Sequence, residues 1–297
     1  MTSGLAAAVL PVAARYRLAL LFAPRRGQAG EVLTRRTGGS MEFEDFRNYS
    51  PGDDPRHIDW AAYARTDQLL VRLHQAELRL AVDVLIDRSR SMASGDGSKG
   101  ARSREVALLV ALVARRAGAA VRLWAAGDFL ERIPGDPAQA LASLPFDSRA
   151  PLPEVLTSRA GELEAGSVRV VVSDFLFPHD PEALHSRLAR SAGGLALVQI
   201  LDPQEAEPAP RGAVRLVDVE TGEDRPLWMD SRAIATYRAR LRELVEGLAR
   251  ACRRTQALFA STVPCRSLDD LCRRALAPAR LLEPAPCQGS SMRAPAS

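Results

Sequence analysis

Lysine is almost missing from this chain: Lys99 is the only one, and every other member of its 40 basic residues is arginine. A GC-rich genome produces such a bias, and by itself it carries no mechanism. The basic excess is also small. A net charge of +4 and a pI near 9.1 arise from arginines spread along the sequence and interleaved with 36 acidic residues, so no basic stripe for nucleic acid forms. Cysteine is scarce too. Cys252, Cys265, Cys272 and Cys287 stand at gaps of 12, 6 and 14 residues with no C-x-x-C pair, which excludes the usual zinc patterns and leaves reduced thiols in a cytosolic protein as the expectation. No run reaches the ~18 apolar residues that signal a membrane span. Residues 4–23 come nearest, but Arg15 and Arg17 interrupt them and Arg25-Arg26 follow, the reverse of a signal peptide's charge order. An amphipathic helix is expected there, with membrane-surface association as the alternative. Also absent are the phosphate loop G-x-x-x-x-G-K-[ST] and the nucleophile elbow G-x-S-x-G, which removes two enzyme classes.

What is present suits a globular α/β protein. With 297 residues, 46% of them hydrophobic and 26% charged, there is room for a sizeable core in one α/β domain with extensions, or in ~2 domains. The organising stretch is 80–92, LAVDVLIDRSRSM, an apolar run that stops abruptly in Asp87-Arg88-Ser89-Arg90-Ser91. Such a run reads as a strand buried on both faces, and polar groups at its C-terminal end lie where open α/β sheets bind ligands. Asp87, Ser89 and Ser91 at alternate positions can converge on a hard cation such as Mg²⁺. Equally, they can cap the next helix and solvate a loop.

Downstream the rhythm is strand and helix in turn. Residues 94–102 read as a flexible polar loop, 103–117 as a helix, and 120–125 as a strand. Helices follow at 137–144 and 154–164, then a strong strand at 167–172 ending in Ser173-Asp174, a helix at 181–192 and a strand at 195–201. This alternation predicts βα units and a mostly parallel sheet. Beyond Asp202 the pattern predicts a hairpin within 213–229, a long amphipathic helix over 231–254, a strand at 257–262, a helix at 268–276 and a disordered Pro/Ala/Ser-rich tail over 277–297. In a parallel sheet Asp174 meets the loop after Asp87, so Asp87, Ser89, Ser91 and Asp174 form a candidate metal set.

Upstream, 41–77 holds the densest run of unusual residues. Asp53, Asp54, His57 and Asp59 are the right types for acid/base work. Arg47, Arg56 and Arg65 are interspersed among them, which favours a structural ion-pair network. Residues 69–73 predict a strand.

Two resemblances are carried by these residues. Asp87-x-Ser89-x-Ser91 with Asp174 resembles the metal-ion-dependent adhesion site of von Willebrand factor A domains. The threonine that such sites take from an intervening loop is replaced here by Ala150, with Ser148 or Thr157 as the available substitutes. The block Phe43-Glu44, Arg47, Tyr49, Pro51-Gly52-Asp53-Asp54, Arg56, Ile58-Asp59-Trp60, with Ala64-Arg65 and Glu77, resembles the signature of the bacterial domain of unknown function fifty-eight, over about 25–276. That resemblance implies a von Willebrand A-like (Rossmann-like) α/β fold, a mostly parallel sheet flanked by helices and preceded by the signature segment. The expected organisation is a helix and connector at 1–40, the signature segment packing on the core at 41–79, the α/β domain at 80–276 and the tail. The resemblance also implies partnership with a MoxR-type AAA+ ATPase. The expected function is a non-enzymatic, cytoplasmic interaction module that binds a partner through Mg²⁺ or another divalent ion, with no catalytic residues and no nucleic acid. The alternative is a metal-dependent hydrolase or phosphoryl-transfer enzyme at the same edge, with Asp54 or His57 as base.

Overall fold

The computed structural model of the chain describes residues 2–21, 45–50, 58–73, 80–159, 162–209, 212–219, 222–262 and 267–285. In chain order the elements are α1 (Thr2–Ala13), β1 (Tyr16–Leu18), β2 (Asp45–Asn48), α2 (Trp60–Thr66), β3 (Leu70–Leu73), β4 (Ala81–Asp87), α3 (Ser98–Arg116), β5 (Ala120–Ala126), β6 (Leu130–Ile133), α4 (Pro137–Ala142) and α5 (Leu152–Arg159). They continue with β7 (Val168–Ser173), α6 (Pro181–Ala189), β8 (Gly194–Ile200), α7 (Pro203–Ala206), β9 (Gly212–Val217), β10 (Asp224–Met229), α8 (Ser231–Thr255), β11 (Leu258–Thr262), α9 (Leu268–Leu271) and β12 (Leu282–Pro284). The chain forms two compact units, one of residues 26–79 and one of everything else.

The larger unit is built on a six-stranded sheet in the order β11-β8-β7-β4-β5-β6. All pairs are parallel except β5 with β6. Strand β4 sits inside this sheet, and all seven of its residues are buried. Its side chains alternate between two cores. Val82, Val84 and Ile86 join Val170 and Val172 beneath α1, α3 and α9, whereas Leu85 joins Val171 and Leu197 beneath α5, α6 and α8. Burying each such side chain contributes about 1.5–3 kcal/mol, which is why a sheet covered on both faces needs strands that are apolar at nearly every position. The mostly parallel α/β sheet flanked by helices is therefore as expected.

The two ends of the described chain close on this unit. Val9, Val12 and Ala13 of α1 are buried in the core, so its apolar face is turned inward, and no described helix is long and apolar enough to cross a membrane. Strand β1 pairs antiparallel with β12, and Leu281 and Leu282 are buried beside it. This corrects the expected tail. Residues 277–285 are folded because two leucines in an otherwise Ala/Pro-rich stretch reach the core, and the rest of 277–297 lies outside the described residues. A second correction concerns 94–102, read as flexible: α3 begins at Ser98, and Lys99, Gly100 and Ser103 are buried.

In the smaller unit β2 pairs antiparallel with β3. Helix α2 is started by Asp59, whose carboxylate accepts hydrogen bonds from the amides of Ala61 and Ala62, both at 3.0 Å.

Candidate functional site

The C-terminal edge of the large sheet gathers its polar groups because β4 and β7 are adjacent and parallel and stop at the same level, with Ile86 in register with Val172. Asp87 ends β4 with its side chain 1% exposed. One of its carboxylate oxygens accepts from the Ser89 amide at 2.9 Å and the other from the Ser173 hydroxyl at 2.6 Å. Burial first, and the neighbouring Asp174 carboxylate second, push its pKa up to about 6. The hydroxyls of Ser89 and Ser91 lie 2.9 Å apart and share a hydrogen bond. Of the expected set, Asp87, Ser89, Ser91 and Asp174 are thus assembled at one edge.

Asp174 is fully buried and is followed by Phe175, a bulky residue at φ +54°. This left-handed turn is costly for such a side chain and is held by two short bonds. The Phe175 amide donates to the Ser173 hydroxyl and the Leu176 amide to Asp174 Oδ1, each at 3.0 Å. The outer oxygen, Asp174 Oδ2, accepts from the Lys99 ammonium at 2.9 Å. Lys99 also donates to Glu205 Oε1 at 2.7 Å, and its side chain is wholly inaccessible to solvent. Burial works against the ammonium, but Asp174 and Glu205 outweigh it and hold the pKa above the ordinary lysine value. Glu205 is fixed in turn: its second oxygen accepts from the Asp202 amide at 2.7 Å, completing a capping box at the start of α7.

The loop from α4 to α5 lies against this edge. Ser148 bridges Ser89 in parallel fashion, and Arg88 donates to Asp147 at 2.6 Å. Ser148 is close enough to be considered for the missing threonine, yet its hydroxyl donates to Asp128 at 2.9 Å and accepts from the Ala150 amide. Ala150 brings no side-chain oxygen, and the Thr157 side chain lies outside what is described. Among the described residues no three His, Cys, Asp or Glu side chains gather as a metal cage. An ion here would depend on two carboxylates and two hydroxyls whose oxygens already hold hydrogen-bond partners.

The described signature residues belong to the smaller unit. Arg47 lies on β2 opposite Val71, and the Tyr49 amide donates to the Leu69 carbonyl at 2.8 Å. Asp59 is the buried N-cap of α2, a structural role, and Trp60 is 61% exposed with an edge-on contact to Tyr63. Pro51, Gly52, Asp53, Asp54, Arg56 and His57 lie outside the described residues. Sequence reasoning missed Lys99 and Glu205 altogether. The one signal that points to Lys99 is its uniqueness among arginines.

Fold and edge together define an α/β sheet protein with a buried carboxylate, hydroxyl and ammonium cluster at the carboxyl ends of its strands. More particularly, the chain belongs to the DUF58 family, proteins of unknown function, whose model matches residues 45–247. It is 28% identical over 240 residues to uncharacterized protein Mb1516 of Mycobacterium bovis and to uncharacterized protein Rv1480 of Mycobacterium tuberculosis, covering 73% of this chain and 75% of each relative. Among solved structures it is similar to BatB from Bacteroides thetaiotaomicron, with a TM-score of 0.37 and 10% identity over 67% of this chain and 98% of that one. An aerotolerance-related membrane protein from Bacteroides fragilis gives a TM-score of 0.34 and 12% identity over 58% and 99%. Likenesses this low carry no argument about function.

Proposed function

We propose that this chain is a non-enzymatic, cytoplasmic interaction module with a von Willebrand A-like sheet, and that it presents the C-terminal edge of that sheet to a protein partner, a MoxR-type AAA+ ATPase. The observation that carries the reading is the juxtaposition of the polar edge with an apolar surface. A cavity of about 340 Å³ opens between Ser94, Gly95 and Glu205 on one side and Leu216, Leu227 and Ile234 on the other. The hairpin β9–β10 that forms its wall leaves Leu216, Val217, Leu227 and Trp228 at 46%, 58%, 40% and 66% exposure. Apolar side chains grouped on one hairpin, rimmed by charge, are the kind of surface that binds protein. In the form implied by the resemblance, a divalent ion on Asp87, Ser89, Ser91 and Asp174 would take a partner carboxylate; the edge supports the reading better than the ion does.

The test is binding between the purified chain and a MoxR-type AAA+ ATPase from the same organism, followed by calorimetry or size-exclusion chromatography. A complex is expected, and replacing an exposed anchor that lines the cavity, Leu227→Ala, should cost about 2 kcal/mol, roughly thirtyfold in Kd. Absence of a complex, or a complex indifferent both to Leu227→Ala and to Ser91→Arg at the edge, would refute the reading.

A further inference from the structure

We infer that the ammonium of Lys99 is the resident cation of this edge and stands in place of a divalent ion. A guanidinium is a broad planar fork, whereas an ammonium is a compact point charge with three donors. In a chain that uses arginine everywhere else, the single lysine is the basic residue whose side chain is sealed between two carboxylates, Asp174 at 2.9 Å and Glu205 at 2.7 Å. These two acids come from different strand ends, the turn after β7 and the helix after β8, so one cation carried on the segment that follows β4 ties both to it and uses the same Asp174 that an ion at this edge would use.

The neighbouring backbone is shaped for it. Lys99 lies in the first turn of α3, and the next residue, Gly100, lets that turn approach closely: a Cβ there would stand 2.9 Å from the Met92 carbonyl oxygen and 2.8 Å from the Phe146 ring. The remaining oxygens do not fit Mg²⁺, which demands near-octahedral oxygen ligands at about 2.0–2.1 Å. Asp174 Oδ1 already accepts from the Leu176 amide, the two Asp87 oxygens from Ser89 and Ser173, and the Ser89 and Ser91 hydroxyls bond one another, so every ligand would have to share or exchange a partner to bind an ion. Ala150 removes a further ligand. The inference concerns the edge's own cation and does not depend on which partner the edge takes.

Uniqueness makes the test clean, because the full chain labelled with ¹³C,¹⁵N-lysine gives a single side-chain ammonium resonance. That resonance is expected to persist, protected from exchange, and to remain unshifted by millimolar Mg²⁺ and unbroadened by Mn²⁺. An amine-reactive ester should acylate the native chain at its amino terminus and spare Lys99. A Lys99→Ala variant should lose stability and acquire a Mn²⁺-dependent rise in Tm that the wild type lacks. Broadening of the wild-type resonance by Mn²⁺ that disappears in Asp174→Asn would overturn the inference, as would a Lys99→Ala variant of unchanged stability. Should Lys99→Ala fail to fold, the labelled wild-type chain decides the matter by itself.

Discussion

Replacing Asp87 by asparagine should make the protein's stability less sensitive to pH, and the size of the effect follows from the site. The native carboxyl is buried beside Asp174, and its pKa rises from 3.8 to about 6. Because the folded value lies above the unfolded one, the native state binds this proton more tightly than the unfolded state. The group's contribution is therefore most favourable below pH 4 and is lost as pH rises through 6. By linkage the full loss is about 3 kcal/mol. Asparagine keeps the shape and carries no charge at any pH, so a constant offset from altered hydrogen bonds with Ser173 and Ser89 separates cleanly from the pH-dependent part. Urea unfolding of both proteins between pH 4 and 8 measures it. Over this range the stability of Asp87→Asn relative to wild type is expected to climb with pH by about 2 of those 3 kcal/mol, most of it between pH 4 and 6.5. A flat or falling difference would refute the reasoning, since it would mean that Asp87 is already ionised in the native state at pH 4, as it would be on a bound divalent ion.

Other expectations rest on independent parts of the structure. Asp83, fully buried in β4, accepts from Arg122 at 2.7 and 2.9 Å, Trp124 at 2.8 Å and Ser167 at 2.6 Å, so Asp83→Ala strands three donors and should cost about 3–5 kcal/mol in urea unfolding. Gly100→Ala should destabilise by about 1–3 kcal/mol, reversing the ~1 kcal/mol gain usual for a helical Gly→Ala change, because the added methyl meets a backbone carbonyl; differential scanning calorimetry reads the sign. Asp59→Ala removes the cap of α2 and should cost about 1 kcal/mol, seen as faster amide exchange at Ala61 and Ala62. Burial pushes the Cys252 and Cys272 thiols up to about 12, so iodoacetamide at neutral pH should leave both unmodified in the native chain and label both after denaturation.

The elements that sequence alone revealed are those whose burial leaves a local mark. Strands β4, β7 and β8 are covered on both faces and so are apolar at most positions, α8 carries a one-sided apolar stripe, and β9–β10 turn around a glycine. What was missed is too short to carry such a mark and is held by its pairing. Strand β6 is four residues with two exposed charges, and it exists by pairing antiparallel with β5. Strands β1 and β12 are three residues each, and their register joins Tyr16 to Pro284, a separation no periodicity can encode. Helix α5 ends at Arg159, short of the expected 164, and the helix expected over 268–276 changes from α to π geometry at Cys272.

The candidate site divides along the same physical line. Asp87, Ser89, Ser91 and Asp174 are legible because strand ends in a parallel sheet share an edge, so two short motifs suffice to place them together. Lys99 is invisible to that rule. It lies in SGDGSKGARS, where glycines and serines read as a linker, and its helical turn is buried only because carboxylates 75 and 106 residues further along neutralise it. A polar residue buried by an ion pair has no hydropathy signature, since the charge that keeps it out of any apolar pattern is the charge that holds it in place. Its rarity was the remaining clue: in a chain whose other basic residues are all arginine, the single lysine is the one whose compact ammonium lies buried between two acids.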